Sequence, residues 1–110
     1  MNQGDCFISV LTVGEIARGV ERLPASRRKS DLAAWLSALM TGFGDRILAV
    51  DVDVAQAWGH CSARSESKGV SLPAVDGLIA ATAICHGLTV VTRDVAHFDA
   101  AGSLTLNPWK

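Results

Sequence analysis

Short apolar runs alternate along this chain with stretches in which apolar side chains recur every three or four positions. Phe7–Leu11 is a run rich in branched side chains and reads as a buried strand. Thr12-Val13-Gly14-Glu15 follows as a capping box, with Thr12 as N-cap and Glu15 reaching back to it. Ile16, Ala17, Val20 and Leu23 then keep helical spacing until Pro24 ends the turn. Ser26 caps a second helix, whose Leu32, Trp35, Leu36, Leu39 and Met40 form one stripe that Gly42 and Gly44 close. Ile47–Val50 is a second strand. Asp51 or Asp53 caps a third helix running through Val54, Ala57, Trp58 and Cys61 and ending near Gly69. Pro73 sits in the first turn of a fourth helix, which carries Leu78, Ile79, Thr82 and Ala83. Gly87 takes the left-handed position after it. Leu88–Thr92 is a third strand and Ser103–Leu106 a fourth.

Uninterrupted apolar strands that alternate with helices predict a parallel sheet covered on both faces, an α/β domain. No repeat, linker or low-complexity tract breaks the 110 residues, so a single domain over 1–110 is expected. An apolar content of 49% with a net charge of −1 excludes intrinsic disorder. No run approaches the roughly 18 apolar residues of a membrane span. The start, MNQGDCFISV, lacks the basic and long apolar regions of a secretory signal. Cys6, Cys61 and Cys85 form an odd set without a C-x-x-C pair, so reduced and mostly buried thiols of a cytoplasmic protein are expected. With 10 Lys and Arg against 11 Asp and Glu, the chain has no overall basic charge for nucleic acid. Such binding has to rest on local clusters or on a metal.

Three acids fall at or just beyond the carboxyl ends of predicted strands, where open parallel sheets build their sites. They are Glu15, Asp76 and Asp94, separated by 61 and 18 residues. Each has a local explanation: Glu15 as a capping-box partner, Asp76 as an acid in a helix's first turn, Asp94 as a turn residue. Their common edge argues for more. Gathered carboxylates repel one another unless a cation neutralises them, and hard oxygen donors suit Mg²⁺ or Mn²⁺. Metal-assisted phosphodiester hydrolysis is the natural chemistry of such a site.

Three ordered segments carry a family resemblance. Phe7-Ile8-Ser9-Val10-Leu11-Thr12-Val13-Gly14-Glu15-Ile16 resembles the second-strand-to-helix motif of PIN-domain ribonucleases, and more narrowly of VapC and FitB-like toxins of bacterial type II toxin–antitoxin pairs. Leu72-Pro73-Ala74-Val75-Asp76-Gly77-Leu78-Ile79-Ala80-Ala81-Thr82-Ala83 and Val90-Val91-Thr92-Arg93-Asp94-Val95-Ala96-His97-Phe98 agree with it, as does the closing Asn107-Pro108-Trp109. The resemblance implies a three-layer α/β/α sandwich, a homodimer, an RNA substrate, a cognate antitoxin and Mg²⁺, with Mn²⁺ as a substitute. It makes Glu15, Asp76 and Asp94 the catalytic, metal-binding acids and Thr92 the supporting hydroxyl. The subgroup often has an aspartate before the final Phe; His97 stands there in this chain.

The resemblance also implies a strand ahead of Phe7 that ends in the first metal-binding aspartate. Met1–Cys6 do not supply it, and Asp5 lies at the wrong end of the Phe7 strand. A downstream start or a degenerate copy is the expectation, with weak or no RNA cleavage by this chain. Two function classes follow: a Mg²⁺-dependent endoribonuclease toxin, or a catalytically impaired protein acting only through antitoxin binding or self-association. A receiver-like signalling domain also places acids at strand ends, but its phosphoacceptor on an interior strand and its paired lysine are not visible.

Other features point elsewhere less strongly. His60-Cys61 and Cys85-His86 are adjacent pairs rather than chelating spacings, so zinc is not expected. Arg27-Arg28-Lys29 reads as a solvated helix face with some capacity to meet phosphate. Trp35 and Trp58 belong to apolar stripes and are expected in the core or at a dimer contact.

Overall fold

The computed structural model describes residues 6–108. Asp5 and Trp109, which entered the sequence reading, lie outside the described residues. The chain divides into two compact units, residues 1–49 and 50–110.

In the first unit, β1 (Ile8–Ser9) runs straight into α1 (Val10–Glu21). Ser9 makes the join, its hydroxyl accepting the Leu11 N–H at 3.0 Å. The expected strand Phe7–Leu11 is therefore cut to two residues, and the Thr12–Glu15 capping box does not form. Both residues sit inside α1, because a capping hydroxyl three positions earlier had already started the helix. After a turn, Ser26 caps α2 (Arg27–Phe43) by accepting the Lys29 N–H at 3.1 Å, as the pattern predicts. Gly42 lies within the helix, and Gly44, at φ +49°, is the residue that ends it. A single 3-10 turn, Gly44–Arg46, leads to β2 (Ile47–Leu48), shorter than the expected Ile47–Val50. β2 pairs in parallel with β1, Ile8 opposite Ile47 and Ser9 opposite Leu48. Arg46 ties the start of β1 to the end of α2. Its guanidinium donates to the carbonyls of Cys6 and Gly42 at 3.0 Å each, and stacks over the Phe43 ring.

The second unit holds the apolar core. Asp51 opens α3 (Val52–Ser67), its carboxylate accepting the Val54 N–H at 2.9 Å. Gly69 follows α3 at φ +72°. Pro73 occupies the N-cap position of α4 (Ala74–Cys85), one residue earlier than expected. Gly87 takes the left-handed conformation beyond it at φ +65°. β3 (Thr89–Val91) pairs in parallel with β4 (Leu104–Leu106), Val90 opposite Thr105. Between them lies α5 (Val95–Ala101), a helix the hydrophobic pattern does not reveal.

Val54, Cys61, Ala80, Ala81, Ala83, Val90, Phe98 and Ala101 form the core of this unit. The alanines of α4 let α3 and α5 pack closely against it, and Gly77 continues that logic. A Cβ at Gly77 would stand 2.9 Å from the Trp58 ring, inside any normal contact.

The parallel pairing expected of an α/β chain is present, as two two-stranded parallel sheets, one in each unit. The expectation of mostly buried thiols fails. Cys85 is exposed and Cys6 half-buried, leaving Cys61 as the buried thiol. Trp35 is half exposed and Trp58 more than a third, so neither is a core residue of its unit. Among the described residues no helix is long and apolar enough to cross a membrane.

Candidate metal and nucleic-acid site

α4, β3 and the start of α5 place most of the residues singled out in the sequence. Asp76 is the third residue of α4 and half-buried. An acid there interacts favourably with the positive end of the helix, a role open to it whatever else it does. α4 packs against β3 and α5. At the end of β3, the Thr92 N–H donates to the Leu106 carbonyl at 3.0 Å, extending the ladder by one residue. The Thr92 hydroxyl then accepts the Asp94 N–H at 3.0 Å, which fixes the turn out of the strand. Thr92 thus fixes the backbone of Asp94.

Asp94 is the N-cap residue of α5, yet its side chain caps no backbone N–H. The carboxylate instead meets the His97 ring, Oδ2 lying 2.5 Å from Nδ1. This contact is the feature the sequence reading missed. The signal for it was present as an i, i+3 spacing, but only a reader who had found α5 could use it.

Glu15 belongs to the first unit, exposed on α1. Because Ser9 caps that helix, the capping role that competed for Glu15 disappears. Asp94 likewise is not spent on capping. Asp76 keeps its place in a helix's first turn, and Asp94 its place in the turn after β3.

Among the described residues no group of three or more His, Cys, Asp or Glu side chains is placed to hold a metal ion. The oxygen donors that β3, α4 and α5 supply, carboxylates and a hydroxyl, suit Mg²⁺ or Mn²⁺ rather than zinc, and beside them α5 carries the His97 imidazole paired with Asp94. Mg²⁺ in particular is commonly held by one or two carboxylates, with water and substrate phosphate completing its shell. The two Cys–His pairs offer no competing centre. Cys61 is in the core, and burial, opposed by Arg64 and assisted by Cys85, pushes its thiol up. The Cys85 thiol donates to the Asp53 carbonyl at 3.5 Å, and is raised by desolvation and then by Asp51 and Asp53. Neither is a ready thiolate ligand.

Comparison with known proteins agrees with this reading of fold and motifs. The PIN domain family model matches residues 1–103, and the chain belongs to that family. It is 38% identical over 106 residues to toxin FitB of Neisseria gonorrhoeae, an alignment covering 96% of this chain and 76% of FitB. It is 33% identical over 105 residues to the VapC ribonuclease Y4jK of Sinorhizobium fredii, covering 94% and 75% respectively. A solved structure of FitAB bound to a DNA fragment superposes with a TM-score of 0.95 at 34% identity, covering 100% of this chain and 78% of that one. The α/β fold is thus that of the VapC and FitB-like PIN proteins.

Proposed function

We propose that the protein is a metal-dependent endoribonuclease toxin that hydrolyses RNA phosphodiester bonds and is held in check by a cognate antitoxin. The observation that carries this reading is the Thr92–Asp94 turn beside α4, in a chain 33% identical to a VapC ribonuclease and 38% identical to toxin FitB. Asp76 and Asp94, both in the second unit, would be carboxylate ligands of a divalent cation, Mg²⁺ or Mn²⁺, and Glu15, in the first unit, is the further acid that the family resemblance implies. Bound there, the cation supplies activation of a water and neutralisation of the charge that builds on the phosphate. The chain's own part is to supply negative oxygens and to hold them still. Thr92 holds Asp94 by its backbone, and α4 holds Asp76 through its buried Ala80–Ala83 face. No side-chain nucleophile is required. The reading includes a homodimer as the active unit and the cytoplasm as its place of action.

A structureless RNA incubated with the purified chain tests it. Cleavage is expected with Mg²⁺ or Mn²⁺, lost on chelation with EDTA and restored by added Mn²⁺. Cleavage that persists in EDTA would contradict the metal mechanism. No cleavage with either metal, alongside tight binding to the antitoxin, would move the protein to a binding role alone.

A further inference from the structure

Trp58, Ser62 and Glu66 follow one another at four-residue steps, so they form one stripe along α3. With Ser71, Leu72 and Ala74 they line a cleft of about 210 Å³ at the start of α4. Gly77 makes room for the ring. A Cβ there would meet Cδ1 and Nε1 of Trp58 at 2.9 Å each, so the glycine lets that edge of the indole rest on α4. The ring is held in place and yet 37% exposed. Glu66 and Ser71 are exposed as well, so the cleft opens to solvent. Of its lining side chains only Glu66 is charged, and it forms no ion pair among the described residues. The hydroxyls of Ser62 and Ser71 likewise have no hydrogen-bond partner among the described residues.

An aromatic ring, a carboxylate and two spare hydroxyls, with no cation among them, complement a guanidinium. Arginine is flat, stacks on aromatic faces and gives up water more readily than an ammonium does. Its five N–H donors can meet a carboxylate with two and leave others for hydroxyl oxygens. A nucleic acid suits the cleft less well, because its phosphates would bring negative charge beside Glu66. We propose that this cleft is a docking site for an arginine side chain of a partner polypeptide, stacked on Trp58 and paired with Glu66, with Ser62 and Ser71 accepting from its remaining N–H groups. The site uses no metal and none of Glu15, Asp76, Thr92 and Asp94, so it stands or falls separately from RNA cleavage.

Titration of the ¹⁵N-labelled full chain with the peptide acetyl-Gly-Arg-Gly-amide tests it. The indole N–H of Trp58 and the amides of Ser62, Glu66, Ser71 and Leu72 are expected to shift together and to saturate with a Kd of about 1 mM, while the Trp35 indole stays in place. The same peptide carrying citrulline, which keeps the shape and lacks the charge, is expected to leave them unmoved. Glu66→Gln is expected to weaken binding of the arginine peptide about tenfold. Its melting temperature should match the parent's, since that side chain is exposed and unpaired among the described residues. Equal binding of the citrulline peptide, no loss on Glu66→Gln, or no saturable shift with the arginine peptide would overturn the assignment. Stronger perturbation of the same signals by a single-stranded RNA would overturn it in favour of nucleic acid. A change of oligomeric state in Glu66→Gln would overturn it in favour of a second copy of this chain.

Discussion

Asp76→Asn is expected to lower metal-dependent RNA cleavage by about a hundredfold or more while leaving the protein folded. The substitution keeps the shape of the side chain and removes its charge. Asp76 is half-buried in the first turn of α4, where losing an acid's interaction with the helix terminus costs at most about 1 kcal/mol. α4 is anchored elsewhere, by Ala80, Ala81, Thr82 and Ala83, all buried. Stability and activity should therefore separate. Initial cleavage rates measured beside thermal melts decide the matter. A variant that melts normally and cleaves normally would reduce Asp76 to a helix-end acid.

Phe98→Ala is expected to have the largest effect on stability, about 3–5 kcal/mol, the usual loss for truncating a buried aromatic ring. Phe98 is 5% exposed and packs in the cluster with Val54, Cys61, Ala80, Ala81, Ala83, Val90 and Ala101. Much of that cluster is alanine, and small side chains cannot collapse into a space the size of a phenyl ring. The melting temperature should fall by about 12 °C or more. Phe98→Leu, which keeps most of the volume, should lose only about 1 kcal/mol. Since Phe98 is the core anchor of α5, the alanine variant should also loosen Asp94 and His97 at the start of that helix. A melt within a few degrees of the parent would mean that the ring does not anchor α5.

Where a single side chain decides an element's boundary, the sequence was readable. Ser26 and Asp51 cap their helices as the pattern predicts, and Gly87 adopts the left-handed turn after α4. The start of the chain was misjudged because two capping candidates, Ser9 and Thr12, lie three residues apart. The hydrophobic run over Phe7–Leu11 fits a strand and a helix's first turn equally well. α5 was missed for another reason. Its seven residues make barely two turns, too few for an apolar period to show, and the alanines at its end dilute what period there is. Gly102, left-handed at φ +93°, was its one clear stop signal.

The site was readable in part. Glu15, Asp76, Thr92 and Asp94 can be named as candidates from motif and position, and to these the structure adds the Thr92–Asp94 turn. The His97 contact could not be read, since it depends on the helix that placed His97 one turn from Asp94. Local roles were also misassigned. The capping box credited to Thr12 and Glu15 does not form, since Ser9 caps the helix, and Asp94 occupies a cap position without capping.

The claim on which the rest depends is that the acids of the second unit, Asp76 and Asp94, bind a divalent cation. Substoichiometric Mn²⁺ added to ¹⁵N-labelled protein tests it directly, because the paramagnetic ion broadens amide resonances steeply with proximity. The amides of Asp76 and Asp94 and their neighbours are expected to disappear together, ahead of the rest of the spectrum. Broadening confined to other regions, with Asp76 and Asp94 untouched, would contradict the metal-site reading.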